Sequence, residues 1–205
     1  MKKMINLIKE NYKADLDRRN IEIEIPEVKK EYNRSNAVEY AHLYWHERNK
    51  DYGEYDPNNC MNYGSQVIIA GGMSMDHTGD YANYEQWKNY GTNYNEAESP
   101  NGLVYTWTYI PFFREYLQHN TDGNLIAMIN APLYSGEGGD MIQISNEDLN
   151  SPVHNMVVVD TIMNDQGEIV DLIVNGNTLD MHNWPLSASA YPYKSLVKII
   201  GSNKQ

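Results

Sequence analysis

Covalent acyl chemistry on a side chain needs a nucleophile, a base to take its proton and a group to orient the base. Cys60 is the only cysteine in the 205 residues. It stands in Tyr55-Asp56-Pro57-Asn58-Asn59-Cys60-Met61-Asn62-Tyr63-Gly64-Ser65-Gln66, and the apolar stretch that follows ends at Gly71-Gly72. Asn before a helix body and Gly just past its end are start and stop signals. Cys60 is therefore expected in the first turn of a helix, where unpaired N–H groups and the helix dipole favour a thiolate. A lone cysteine is more often a small buried hydrophobe. The helix start and the polar flank weigh against that reading.

Six histidines could serve as the base. His42, His46, His77, His119 and His182 lie in helical or loop contexts. His154 stands just after a turn containing Pro152, at the entrance of the strand Asn155-Met156-Val157-Val158-Val159. An imidazole there can face a cleft while the valines bury. Ile169-Val170-Asp171-Leu172-Ile173-Val174 should pair with that strand through the turn Asn164-Asp165-Gln166-Gly167. The hairpin would return Asn175-Gly176-Asn177 to the neighbourhood of His154, so Asn177 or Asn175 could fix its tautomer. His42 and His46, at i, i+4 spacing, are a weak zinc pair that lacks the Glu of a zinc protease motif. A solvated helix face is the favoured reading there, and neither a metal nor a cofactor is expected.

The positioning elements follow from periodicity. Residues 1–20 read as an amphipathic helix, and Ile21-Glu22-Ile23-Glu24-Ile25 as a short strand ended by Pro26. Ser35 is expected to cap a helix presenting Val38, Ala41, Tyr44 and Trp45. The long polar run from Met73 to Leu103 is expected to wall or cover a substrate cleft. Tyr105 to Gln118 reads as a helix with Pro111 near its start or at a kink. Strands are expected at Leu125–Ile129, Asp140–Ile144, His154–Ile162, Ile169–Val174 and Ser195–Ile200. Helices first and an antiparallel sheet afterwards argue for an α+β fold. The division expected is an N-terminal helical extension over 1–32 and a catalytic domain over 33–205.

Composition narrows the partners. Lys and Arg number 16 against 28 Asp and Glu, a net charge of −12. That disfavours nucleic acid and anionic polymers, and favours neutral or cationic substrates. One cysteine excludes a disulfide scaffold and a multi-cysteine zinc site. No apolar run approaches membrane-spanning length. Lys9, Glu10 and Lys13 interrupt any signal-peptide core, so the expected location is the cytoplasm, or outside the cell if a leader was removed. Seventeen Tyr and four Trp against two Phe suggest an aromatic-lined cleft.

Five segments together resemble the putative amidase domain family of papain-like bacterial cysteine hydrolases. They are Asn36–Ala41, Asn59–Gln66 with Ala70-Gly71-Gly72, Gly139–Gln143, His154–Val159, and Asn177–Asp180 with Trp184-Pro185-Leu186-Ser187. The resemblance spans roughly 33–200 and implies a papain-like fold with Cys60 as nucleophile and His154 as base. It departs from the family pattern at Asn59, usually Asp, and at Asn177, usually His. The oxyanion hole would combine the Cys60 N–H with an upstream side chain. Asn59 and Tyr55 are candidates, with Asn62 also a candidate substrate contact. Two activities compete. One is cleavage of a small-molecule or peptide amide through a Cys60 acyl-enzyme. The other is acyl transfer from a thioester, an acyl carrier protein being one conceivable donor, to a cationic amine acceptor. A non-enzymatic binding module is the third reading.

Overall fold

The computed structural model describes residues 23–55, 57–80, 83–89, 105–120 and 124–204. Seven strands form one antiparallel sheet, β1(Lys30–Glu31), β2(Ile126–Ala131), β3(Met141–Ser145), β4(His154–Met163), β5(Ile169–Gly176), β6(Met181–Pro185) and β7(Tyr193–Ser202). The order is β1-β7-β3-β4-β5-β6, with β2 also pairing with β7. The helices are α1(Arg34–Leu43), α2(Cys60–Ala70), α3(Tyr105–Thr108) and α4(Ile110–His119). The α+β architecture and the antiparallel sheet thus match the expectation.

Strand β4 lies inside the sheet, and alternate side chains feed two cores. Val157 and Val159 pack with Met61, Val67 and Ile68 of α2 in the helix-side core. Met156 and Val158 join Leu172, Val174 and Leu186 on the other face. Burial on both faces explains why this strand reads as an unbroken apolar run. The aromatic excess builds the helix-side core. Trp87 stacks on Trp107 at 5.1 Å and on Tyr116 at 6.1 Å between ring centroids, and Tyr52 stacks on Trp107.

Several expectations need correction. The N-cap of α1 is Asn33, whose side chain accepts from the Asn36 N–H at 3.0 Å, not Ser35. α1 ends at Leu43, so Tyr44 and Trp45 follow it, and its buried residues are Ala37 and Ala41. Ile23–Ile25 form no strand, and Ile25 is exposed. The chain meets the edge of β7 only later, through the Lys29 N–H bond to Ser202 and then β1. β1 and the core residue Tyr32 therefore bring part of the expected extension into the fold. The helix expected over 105–118 is two, broken at Tyr109, with Pro111 in the first turn of α4. Proline is tolerated there because the first-turn N–H groups have no helical partner. β6 was not expected. Residues 1–20, Ile21 and Glu22 lie outside the described residues, as do 81–82 and 90–103 of the long polar run.

A buried charge cluster ties the start of α1 to β3 and β7. Arg34 bonds Asp140 at 2.8 Å and the Ile199 carbonyl at 2.8 Å. Asp140 also accepts from the Ile199 and Glu137 N–H groups and lies 3.7 Å from the Lys198 ammonium. Burial raises the Asp140 pKa, and Arg34 and Lys198 oppose that rise. Removing one partner would leave a buried charge poorly compensated.

Candidate active site

The nucleophile candidate is placed by its own flanks. Pro57-Asn58-Asn59 turns the chain, and the Asn59 carbonyl accepts the first helical bond from the Tyr63 N–H at 2.9 Å. Cys60 begins α2, as expected, and Gly71 ends it. Asn59 is the N-cap, but its side chain makes no capping bond. Its oxygen instead accepts from the Tyr55 N–H at 3.3 Å and the Asn62 amide at 2.9 Å, while its amide donates to Asn177. Asn62 is fully buried, donating to the Gly53 carbonyl at 3.2 Å and accepting from the Trp107 indole at 2.7 Å.

β4 passes close to this turn. Gly64 permits the approach, since a Cβ there would lie 2.6 Å from the Asn155 amide nitrogen. That amide reaches the Cys60 carbonyl at 3.5 Å. The same strand begins with His154, so packing β4 against α2 brings His154 and Cys60 to one cavity. Asn58, Thr178, Ser189 and Tyr191 are its other polar lining residues. The cavity measures about 400 Å³. Cys60 is 8% exposed and opens into it.

Electrostatics here differs from the sequence-based expectation. Burial pushes the Cys60 thiol above its ordinary value. The backbone N–H of Asn155, the Thr178 hydroxyl and the N–H groups of Met61 and Cys60 oppose the rise without cancelling it. Desolvation therefore outweighs the helix-start effect, and the resting thiol is protonated at neutral pH. Burial also pushes His154 down to about 4, so its imidazole is neutral. His154 Nε2 and Thr178 Oγ1 are buried atoms without a hydrogen-bond partner among the described residues. Thr178 nonetheless lies close enough to the sulfur to favour its thiolate.

The expected orienters are engaged elsewhere. The Asn177 amide donates to the carbonyls of Tyr44 at 2.5 Å, Trp45 at 3.2 Å and Glu47 at 3.1 Å, and its oxygen accepts from Asn59. Asn175 donates to the Ala41 carbonyl at 3.3 Å and accepts from the Asn183 N–H at 2.7 Å. Both asparagines satisfy carbonyls at and beyond the end of α1, which have no helical partner. Asn177 thereby positions Asn59, and through it Cys60, rather than the His154 ring. The hairpin argument did bring this segment to His154. A Cβ on Gly176 would lie 3.6 Å from His154 Nε2.

Of the expected oxyanion side chains, Asn59 and Asn62 are engaged as described. Tyr55 is partly buried and does not line the cavity, whereas Asn58 does. Thr178 and Asn58 were missed. Thr178 was legible only as a neighbour of Asn177 at the returning strand end, and Asn58 only as part of the turn. No described residue of 73–89 lines the cavity. Trp87 and Met73 are buried in the helix-side core instead. No Asp, Glu, Lys or Arg lines the cavity among the described residues.

The weak zinc pair dissolves because α1 ends before His46. His42 lies 3.4 Å from the Asn175 amide, and His46 lies beside Glu47. Among the described residues no group of three His, Cys, Asp or Glu could hold a metal. No helix among them is long and apolar enough to cross a membrane.

No curated protein and no solved structure matches the chain. A family model described as putative amidase domain matches residues 31–200. That span covers the charge cluster, α2, the cavity lining and all but the last two residues of the strands that follow, and the chain belongs to this amidase family.

Proposed function

We propose that this protein is a cysteine-dependent amide hydrolase of papain-like type, acting through an acyl-enzyme on Cys60. The observation that carries the reading is the meeting of the sole cysteine, at a helix start, with a neutral histidine in one cavity. The family name supports amide hydrolysis in general. In the first step the His154 imidazole takes the thiol proton while the sulfur attacks the amide carbon. The tetrahedral oxygen takes up the negative charge beside the N–H of Cys60, with the Asn58 side chain as a further donor. The C–N bond then breaks, the amine leaves with the proton from His154, and a thioester remains. Water, deprotonated by His154, attacks the thioester carbon; the C–S bond breaks, the carboxylic acid leaves, and the sulfur takes the proton from His154 to restore the thiol. The resting pair is neutral on both sides, so proton transfer from Cys60 to His154 must be driven by binding of substrate and attack on its carbonyl.

A second reading is acyl transfer to an amine. The mainly apolar cavity favours it, since a site poor in polar groups retains a thioester against water. The test is intact-protein mass after incubation with acyl thioesters and activated amides, with and without amines. Cys60→Ala and His154→Ala are each expected to lower kcat/KM on the order of 10³-fold or more. Asn177→Ala, which frees the carbonyls after α1 and loosens the turn before Cys60, is expected to cost about 10- to 100-fold. An adduct on Cys60 discharged by water supports the hydrolase, and one discharged faster by amines supports the transferase. Full activity in Cys60→Ala would sink both.

A further inference from the structure

Apart from Cys60, Asn58, His154, Thr178, Ser189 and Tyr191, the cavity is lined by apolar side chains. Ile144, Met156, Val174 and Leu186 belong to the core behind the sheet and form its floor. Val153, Leu179 and Trp184 stand at its rim, 60%, 73% and 46% exposed. Three large apolar side chains in water at one opening call for an occupant, because isolated exposed apolar residues are ordinary but grouped ones are not. The rim is held in place. Trp184 sits in β6 opposite Val174. The short helical turn Leu186–Ala188 is tied to β5 by Ser187, whose hydroxyl and N–H reach the Asp171 carboxylate at 2.5 and 3.1 Å. A charged group entering such a cavity would lose its hydration with no counter-charge to replace it.

We infer that the cavity beside Cys60 binds a short, uncharged aliphatic group of the substrate, on the acyl side of the bond attacked, with Trp184, Leu179 and Val153 as its rim. This rests on the reading of Cys60 as the nucleophile. The volume of about 400 Å³ fits one small group rather than an extended chain, being near the lower end of the range of about 300 to 1,000 Å³ for ligand pockets. The cavity is thus a specificity site for an aliphatic acyl donor or an aliphatic amino-acid side chain. His154 Nε2, which has no hydrogen-bond partner among the described residues, and the Thr178 hydroxyl, close to the Cys60 sulfur, belong to the polar end, where the amide itself would lie.

The test separates the pocket from the catalysis. Alkyl methanethiosulfonates react with any accessible thiol. The sulfur of Cys60 forms a disulfide with the alkylthio group and methanesulfinate leaves, so no acyl chemistry is involved. Rates would be measured for methyl, butyl and hexyl reagents, and for the 2-sulfonatoethyl and 2-(trimethylammonio)ethyl reagents, each divided by its rate with glutathione. The expected result is a gain of up to about fourfold per methylene from methyl to butyl, with both charged reagents slower than butyl. Trp184→Ala and Leu179→Ser, at exposed positions that leave the core intact, are expected to narrow the butyl-to-methyl ratio. A flat dependence on chain length, a cationic reagent faster than butyl, or a ratio unchanged in both variants would overturn the inference. Acyl thioesters of the same chain lengths form the second arm. A chain-length gain with the reagents but no acyl adduct would retain the pocket and remove the nucleophile. An acyl adduct with a flat chain-length series would do the reverse.

Discussion

Cys60 and His154 are both neutral at rest for the same reason: each loses hydration without gaining an opposite charge. The rate of Cys60 alkylation by iodoacetamide should therefore climb about tenfold per pH unit through the neutral range, because the thiolate is the reacting form. A plateau below pH 7 would mean a preformed thiolate–imidazolium pair and would overturn this account. His154 also links pH to stability. Its pKa falls from 6.5 to about 4 on folding. Between those values the unfolded chain holds a proton that the folded chain does not, so stability is lost as pH falls across that window. The loss is on the order of 3 kcal/mol. Denaturant midpoints measured across that window should fall in the wild type and stay nearly level in His154→Phe.

At the scale of elements, the approach of α2 to β4 brings Cys60 and His154, the proposed nucleophile and base, to one cavity, and Gly64 is a point of close approach. Alanine at a helical glycine ordinarily gains up to about 1 kcal/mol. Here the new methyl would meet the Asn155 amide at 2.6 Å and Met141 Cε at 3.0 Å. Both neighbours are buried, so the methyl must push Asn155 away from Cys60. Gly64→Ala is expected to lose about 1–2 kcal/mol, with a fall in kcat/KM larger than that loss explains. Chemical denaturation together with kinetics checks both, and a variant more stable than wild type would disprove the close approach. The elements that place the site were legible where local signals are strong. The start of α2, the β4 strand and the Asn164–Gly167 turn lie where they were read. What stayed hidden depends on contacts distant in sequence. Asn177 reads as a turn residue or a tautomer anchor, and only the end of α1 decides where its amide goes. β6 escaped because Met181-His182-Asn183-Trp184-Pro185 is short, carries Asn183 at positive φ and has no clean alternation. With β6 unseen, the apolar wall of the cavity could not be read either.

At the scale of the whole molecule, a net charge of −12 surrounds a cavity lined by no charged side chain among the described residues. These two features act at different distances. The surface charge works over the screening length, which falls from about 30 Å in 0.01 M salt to about 3 Å in 1 M. It therefore governs how fast a charged molecule arrives, but contributes little to holding one beside Cys60. Loading of Cys60 by a neutral acyl donor should be nearly independent of salt. Discharge of the acyl group by a cationic amine, if the protein transfers rather than hydrolyses, should slow several-fold over the same range because encounter is no longer steered. The amine concentration giving half-maximal discharge would rise with it, while the maximal rate would not change. A maximal rate that fell with salt would instead place an anionic group at the acceptor position, within reach of the thioester. That group would have to come from outside the described cavity lining. Single-turnover discharge of pre-acylated protein, measured at several amine and salt concentrations, separates the two.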